Sequence, residues 1–134
     1  RYHARYADLD ELLAASDYVS VNVPLTESTY GLCGKEFFEK MKRGSVFINI
    51  ARGEVADTEA LKEALDSGHL SGAGVDVFAT EPCTDSPLRN CENAVLTPHT
   101  APYTVVNFAG MNELAARNVI DFFQGCLEEK MLVK

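Results

Sequence analysis

Four short runs rich in valine and isoleucine, each set apart by stretches long enough for a helix, constrain this chain more than any single motif. Residues 18–23, 45–50, 72–78 and 94–97 read as strands, the first stopped by Pro24 and the second launched from a Gly44 turn. Leu9–Ala15 reads as a short helix with Asp8 as N-cap, and 35–41 as another with Phe37, Phe38 and Met41 on its apolar side. A third helix is expected over 58–67, capped by Thr58, striped by Ala60, Leu61, Ala64 and Leu65, and ended by Gly68. Strands joined through helices pair in parallel by right-handed crossovers, so the fold class is α/β, a parallel sheet flanked by helices. Because the strands lack strict polar–apolar alternation, burial on both faces is expected. The loop over 79–93 is long for a connection, and Pro82 and Pro87 fix its path.

A final helix is predicted over 104–124. Val105, Phe108, Met111, Leu114, Ala115, Val119, Phe122 and Phe123 form a wider apolar face than one stripe requires. Part of that face is expected to cover the sheet and part to meet something beyond this chain, with a homodimer as one outcome.

Composition narrows the function classes. A chain of 134 residues suits one domain, and a formal net charge of −8 argues against nucleic acid or an anionic membrane as partner. Cys33, Cys83, Cys91 and Cys126 form no CxxC pair and no zinc spacing, so free thiols in a cytoplasmic protein are expected, with no metal site. The opening Arg1-Tyr2-His3-Ala4-Arg5 is not signal-like, and without an initiator methionine the chain reads as a piece of something longer.

In an open parallel sheet, ligands bind beyond the carboxyl ends of the strands. Pro24-Leu25-Thr26 follows the first strand and Arg52-Gly53 the second; Asp76 ends the third, with Glu81 in the loop after it; Pro98-His99 follows the fourth. One rim thus gathers an arginine, two carboxylates and a histidine. Arginine offers a fixed fork of donors to a carboxylate or polarised carbonyl. Histidine titrates near neutrality and exchanges protons, and a carboxylate on its ring fixes the tautomer. This set suits reduction of a 2-keto acid: Arg52 holds substrate, His99 protonates the carbonyl oxygen, and Glu81 supports His99. The hydride must come from a cofactor, since no side chain supplies one. Each residue also has an ordinary reading: Arg52 paired with Glu54, Asp76 capping a turn, Glu81 solvated, His99 satisfied in a loop. Only their placement on one rim favours catalysis. His3 and His69 read as ordinary surface histidines.

The residues also resemble a known family. Val23-Pro24-Leu25-Thr26-Glu27-Ser28-Thr29-Tyr30-Gly31-Leu32 is similar to the VPLTxxTxGL stretch of D-isomer-specific 2-hydroxyacid dehydrogenases. The segment 48–55 resembles their INxARGxxV, 72–82 their GAGxDVFxxEP, and Leu96-Thr97-Pro98-His99 their TPH motif. The resemblance implies a Rossmann-like fold, a catalytic group of Arg52, Glu81 and His99, and NAD or NADP as cofactor. It implies that Asp76 meets the nicotinamide carboxamide, that Ile50, Ala51 and Arg52 line the nicotinamide pocket, and that Val23, Pro24 and Thr29 lie near the adenosine or pyrophosphate side. The substrate class is a small 2-hydroxy or 2-keto acid. Residues 81–88 look like phosphoglycerate dehydrogenases and the stretch after His99 like glyoxylate or hydroxypyruvate reductases, so the particular acid stays open.

Three family features are missing: the glycine-rich phosphate turn of the first βαβ unit, the residue that selects NAD or NADP, and a separate substrate domain. The fold is therefore expected to be incomplete, with 1–134 a partial nucleotide-binding domain and a poor catalyst by itself. Two other readings stand beside the enzyme: a nucleotide-regulated corepressor on the same fold, and an inactive truncated remnant.

Overall fold

The computed structural model describes residues 4–132; His3 lies outside them. The chain forms two compact units, Arg1–His99 and Thr100–Lys134.

In the first unit α1 (Leu9–Ala15) leads into β1 (Tyr18–Val21), α2 (Lys35–Lys40), β2 (Val46–Asn49), α3 (Thr58–Asp66), β3 (Gly72–Val75) and β4 (Ala94–Leu96). The sheet order is β1-β2-β3-β4 and every pairing is parallel, with Val21 opposite Asn49, Asn49 opposite Val75, and Val75 opposite Leu96. Adjacent parallel strands laid down in one direction by right-handed crossovers put their helices on one face. Burial agrees: Val19, Val21, Phe47, Ala73 and Val75 join Leu13, Phe37, Phe38, Met41, Leu61 and Leu65 in a single core. Phe47 stands edge-on to Phe38 at 5.0 Å and to Phe37 at 6.2 Å between ring centroids. The alternate positions are not buried: Tyr18 and Ser20 are exposed, as is Val95, while Val46, Ile48, Gly72 and Gly74 are half-buried. The expected burial of both faces is thus wrong for this unit. Its strands do alternate, and the apolar character of the open face had masked the period.

Caps differ in detail. Asp8 makes no side-chain cap, only a backbone bond to Leu12. At α3 the cap is Asp57, not Thr58: its carboxylate accepts from the amides of Glu59 and Ala60 at 3.0 and 3.1 Å, as an aspartate at the positive end of a helix should. Gly68 ends that helix as expected, at a φ of 66° that a side chain would resist. His69 is structural, its Nε2 2.9 Å from the Met41 carbonyl oxygen.

The second unit is built on α4 (Val105–Gln124), capped by the Thr104 hydroxyl, which accepts from Asn107 N at 3.1 Å. Within this unit no residue of α4 is buried. No helix among the described residues is long and apolar enough to cross a membrane.

Candidate active site

All four strands are parallel, so their carboxyl ends lie along one edge, and the polar residues named above follow those ends. Asn49 closes β2 with its side chain turned into the core at 1% exposure. A buried amide must be bonded, and this one turns back on its own loop. Its Oδ1 accepts from Ala51 N at 3.0 Å, and its Nδ2 donates to the Arg52 carbonyl at 3.0 Å. The same residue's carbonyl accepts from Asp76 N at 3.0 Å, tying the end of β2 to the end of β3. Arg52 follows, its guanidinium folded onto the Ala51 carbonyl at 2.6 Å. Gly53 comes next and lies against backbone: a Cβ there would stand 2.0 Å from Phe78 C and 2.2 Å from Ala79 N.

Asp76 is 4% exposed and accepts the Thr97 hydroxyl. Its carbonyl receives His99 N at 2.8 Å, which together with a bond to Thr97 O holds His99 at a φ of 54°. Few residues other than glycine sit in that left-handed region, and they gather at functional sites. The Glu81 carboxylate, just before a cis peptide to Pro82, spans two donors. Oε1 accepts from Phe78 N at 2.9 Å and Oε2 meets His99 Nδ1 at 2.7 Å. The imidazole bond, followed by the Phe78 N–H, holds the Glu81 carboxyl below the usual carboxylate range. With Nδ1 engaged, Nε2 is the ring atom left for proton exchange.

The structure therefore joins Asp76, Thr97, His99 and Glu81 in one bonded group. Arg52 stands at the same edge, reached through the Gly53–Phe78 packing rather than by its side chain. A cleft of about 700 Å³ opens beside Glu81 and His99, walled by Pro82, Cys83, Leu88 and Leu96. Ile50 is 45% exposed at this edge and the adjacent Ala51 is buried, while Val23 and Thr29 are half-buried after β1, next to exposed Pro24. Thr29 Oγ1 donates to the Pro24 carbonyl at 2.6 Å, which fixes that turn. All four cysteines are free, and burial pushes the Cys33 thiol up to about 12, far from a reactive thiolate. Among the described residues no cluster of histidine, cysteine and carboxylate could hold a metal. Sequence reasoning had missed Asn49, Gly53 and Thr97. Asn49 carried a signal, a polar residue at an inward register of a buried strand.

A parallel sheet whose carboxyl edge carries an imidazole–carboxylate pair, a buried aspartate and an arginine defines a dinucleotide-binding α/β domain of the dehydrogenase type. The chain belongs to the D-isomer specific 2-hydroxyacid dehydrogenase family: the family's NAD binding domain matches residues 1–101. It is 47% identical over 130 residues to glyoxylate/hydroxypyruvate reductase B of Escherichia coli, covering 96% of this chain and 40% of that protein. Among solved structures, it is similar to D-lactate dehydrogenase from Aquifex aeolicus complexed with NAD and lactic acid. The match has a TM-score of 0.80 at 37% identity, over 92% of this chain and 42% of that one. NAD-dependent formate dehydrogenase from Staphylococcus aureus in complex with NAD matches at a TM-score of 0.89 and 29% identity, over 100% of this chain and 41% of that one. The chain thus spans about two fifths of the length of the relatives it matches.

Proposed function

We propose that this chain is the catalytic-edge segment of an NAD(P)-dependent D-2-hydroxyacid dehydrogenase that reduces small 2-keto acids of the glyoxylate or hydroxypyruvate type. The observation that carries the reading is the His99–Glu81 pair, 2.7 Å apart at the carboxyl edge of the sheet. His99 Nε2 gives a proton to the carbonyl oxygen as it becomes a hydroxyl, and takes it back in the oxidative direction. Glu81 accepts from Nδ1, so the tautomer is fixed and the ring presents Nε2 to the substrate. Arg52 grips the substrate carboxylate with its paired donors, once its guanidinium leaves the Ala51 carbonyl.

The chain's residues fit the cofactor. Exposed Ile50 offers an apolar surface, and the buried Asp76 carboxylate can accept from a carboxamide. Asp76, Ile50, Ala51 and Arg52 are assigned to the nicotinamide side, and Val23, Pro24 and Thr29 to the adenosine side. When bound, the nucleotide supplies or receives the hydride at the substrate's second carbon. A cytoplasmic homodimer is the assembly proposed. The enzyme is preferred to a nucleotide-regulated corepressor because a formal net charge of −8 and a sequence with no basic tract do not suit a chromatin-associated role.

The test is a chimera in which this chain replaces the matching stretch of the Escherichia coli reductase. It should oxidise NADH or NADPH with glyoxylate or hydroxypyruvate. His99→Gln should lower kcat roughly 10²–10⁴-fold with little change in KM, whereas Arg52→Lys should also raise KM, since an ammonium cannot reproduce the fork. An unchanged kcat in His99→Gln would end the assignment.

A further inference from the structure

Resting on that reading of the site, we infer that Asn49 and Gly53 are positioning residues: Asn49 fixes the Arg52 loop to the end of β2, and Gly53 seats that loop on the peptide whose neighbouring amide holds Glu81. Arg52 and the His99–Glu81 pair arise from different strands, and no bond between their side chains sets their spacing. The backbone does it. On one side, Asn49 brackets Arg52, bonding the amide before it and its own carbonyl, both at 3.0 Å. On the other, Gly53 presses on the Phe78–Ala79 peptide so closely that an added Cβ would lie 2.0 Å from Phe78 C, 2.2 Å from Ala79 N and 2.5 Å from Phe78 Cα. Phe78 N donates to Glu81 Oε1 at 2.9 Å, and Glu81 Oε2 lies 2.7 Å from His99 Nδ1. One chain of contact from Arg52 to His99 is therefore Gly53, Phe78, Glu81, with no flexible side chain until the carboxylate; the other runs through backbone bonds from Asn49 to Asp76 and from Asp76 to His99.

Every atom that a Gly53 methyl would meet at this range is main chain, so the strain has no side-chain tip to absorb it. Either the Arg52 loop or the Phe78–Ala79 peptide must retreat by about 1 Å or more, a displacement that costs on the order of 10²-fold when it falls between reacting groups. Asn49 acts differently. Removing its amide frees Ala51 N and Arg52 O without adding an atom, so it loosens Arg52 and leaves the Glu81 clasp in place.

The experiment compares the unsubstituted chain, Gly53→Ala and Asn49→Ala, each as the full 134-residue chain for carboxyl and imidazole NMR and in the reductase chimera for kinetics. In the unsubstituted chain the Glu81 carboxyl should titrate below the usual range and its signal should respond to His99; if it does not, the proton-exchange reading fails independently of this inference. Gly53→Ala should return Glu81 upward towards an ordinary carboxylate and lower kcat/KM about 10²-fold. Asn49→Ala should leave the Glu81 titration unmoved and raise KM for the keto acid at least several-fold more than it lowers kcat. Should Gly53→Ala not fold, the Asn49→Ala split alone decides the matter. Gly53→Ala with unchanged Glu81 titration and kcat/KM, or Asn49→Ala with unchanged KM, would overturn the inference.

Discussion

Glu81→Gln is the sharpest probe of the acid–base pair, because it changes one atom and keeps the shape. In the native site both carboxylate oxygens accept: Oε1 from Phe78 N at 2.9 Å and Oε2 from His99 Nδ1 at 2.7 Å. An amide has only one oxygen. Phe78 N can only donate, whereas the imidazole can change tautomer, so the glutamine oxygen should turn to Phe78 and its NH₂ to the ring. That forces Nδ1 to accept, so the bond between Nδ1 and a charged carboxylate is lost. A hydrogen bond to a charged group is worth roughly 1.5–3 kcal/mol. The two side chains are 41% and 35% exposed, so solvent screens the pair and the lower end applies. At about 1.4 kcal/mol per tenfold, kcat/KM for glyoxylate should fall about tenfold, less than for His99→Gln. The assay is steady-state NAD(P)H oxidation by the chimera across pH. A Glu81→Gln enzyme within twofold of the parent at every pH, or one as damaged as His99→Gln, would refute the reasoning.

Three further outcomes are expected. Glu81 titrates lower in the folded chain than in the unfolded one, so it adds stability above its ordinary pKa that is lost as pH falls through the folded value; thermal unfolding should show this acid-side loss in the parent and not in Glu81→Gln. Calorimetric titration of the chain by itself with NADH or NADPH should give weak binding or none, because the glycine-rich turn that cradles pyrophosphate is not among its residues; tight binding of either would contradict this. The bare apolar face of α4, with Val105 90% and Phe123 82% exposed, should drive self-association visible as a concentration-dependent sedimentation coefficient; a strictly monomeric chain at high concentration would count against it.

Much of this was legible in the sequence for identifiable reasons. Strand positions followed from local composition, and parallel order followed from helix-length connections, which leave few alternatives. The rim residues followed from that order, since what comes after a parallel strand must stand at its carboxyl end. What stayed hidden was tertiary. Val46 and Ile48 are apolar yet only half-buried, so hydrophobicity could not say which face the helices cover. Asp57 displaced Thr58 as cap because both are good cap residues one position apart, and only the turn geometry chooses. Gly53 looked like part of a motif, and its reason, a backbone in contact with Phe78, lies 25 residues away in the chain. The left-handed backbone of His99 is likewise tied to a residue distant in the chain, since its N–H donates to the Asp76 carbonyl.

The comparisons also separate what this segment determines from what it leaves to the rest of an enzyme. Formate dehydrogenase superposes with a TM-score of 0.89 at 29% identity, whereas D-lactate dehydrogenase gives 0.80 at 37%. Backbone likeness does not follow sequence likeness here, and proteins named for quite different substrates share the sheet. The sheet edge is thus a common platform, and selectivity has to come from side chains mounted on it or from parts of the enzyme that face it. On the proposed reading, the groups within the segment that would discriminate are Arg52, which suits a carboxylate, and His99, which suits an oxygen that gains a proton. A substrate needing both is a 2-keto acid, and one lacking a carbonyl to protonate would make no use of the Glu81–His99 pair. On that reading neither residue would select the group beyond the keto carbon, and the motifs resemble those of enzymes for two different acids. That choice would then fall to residues other than Arg52 and His99.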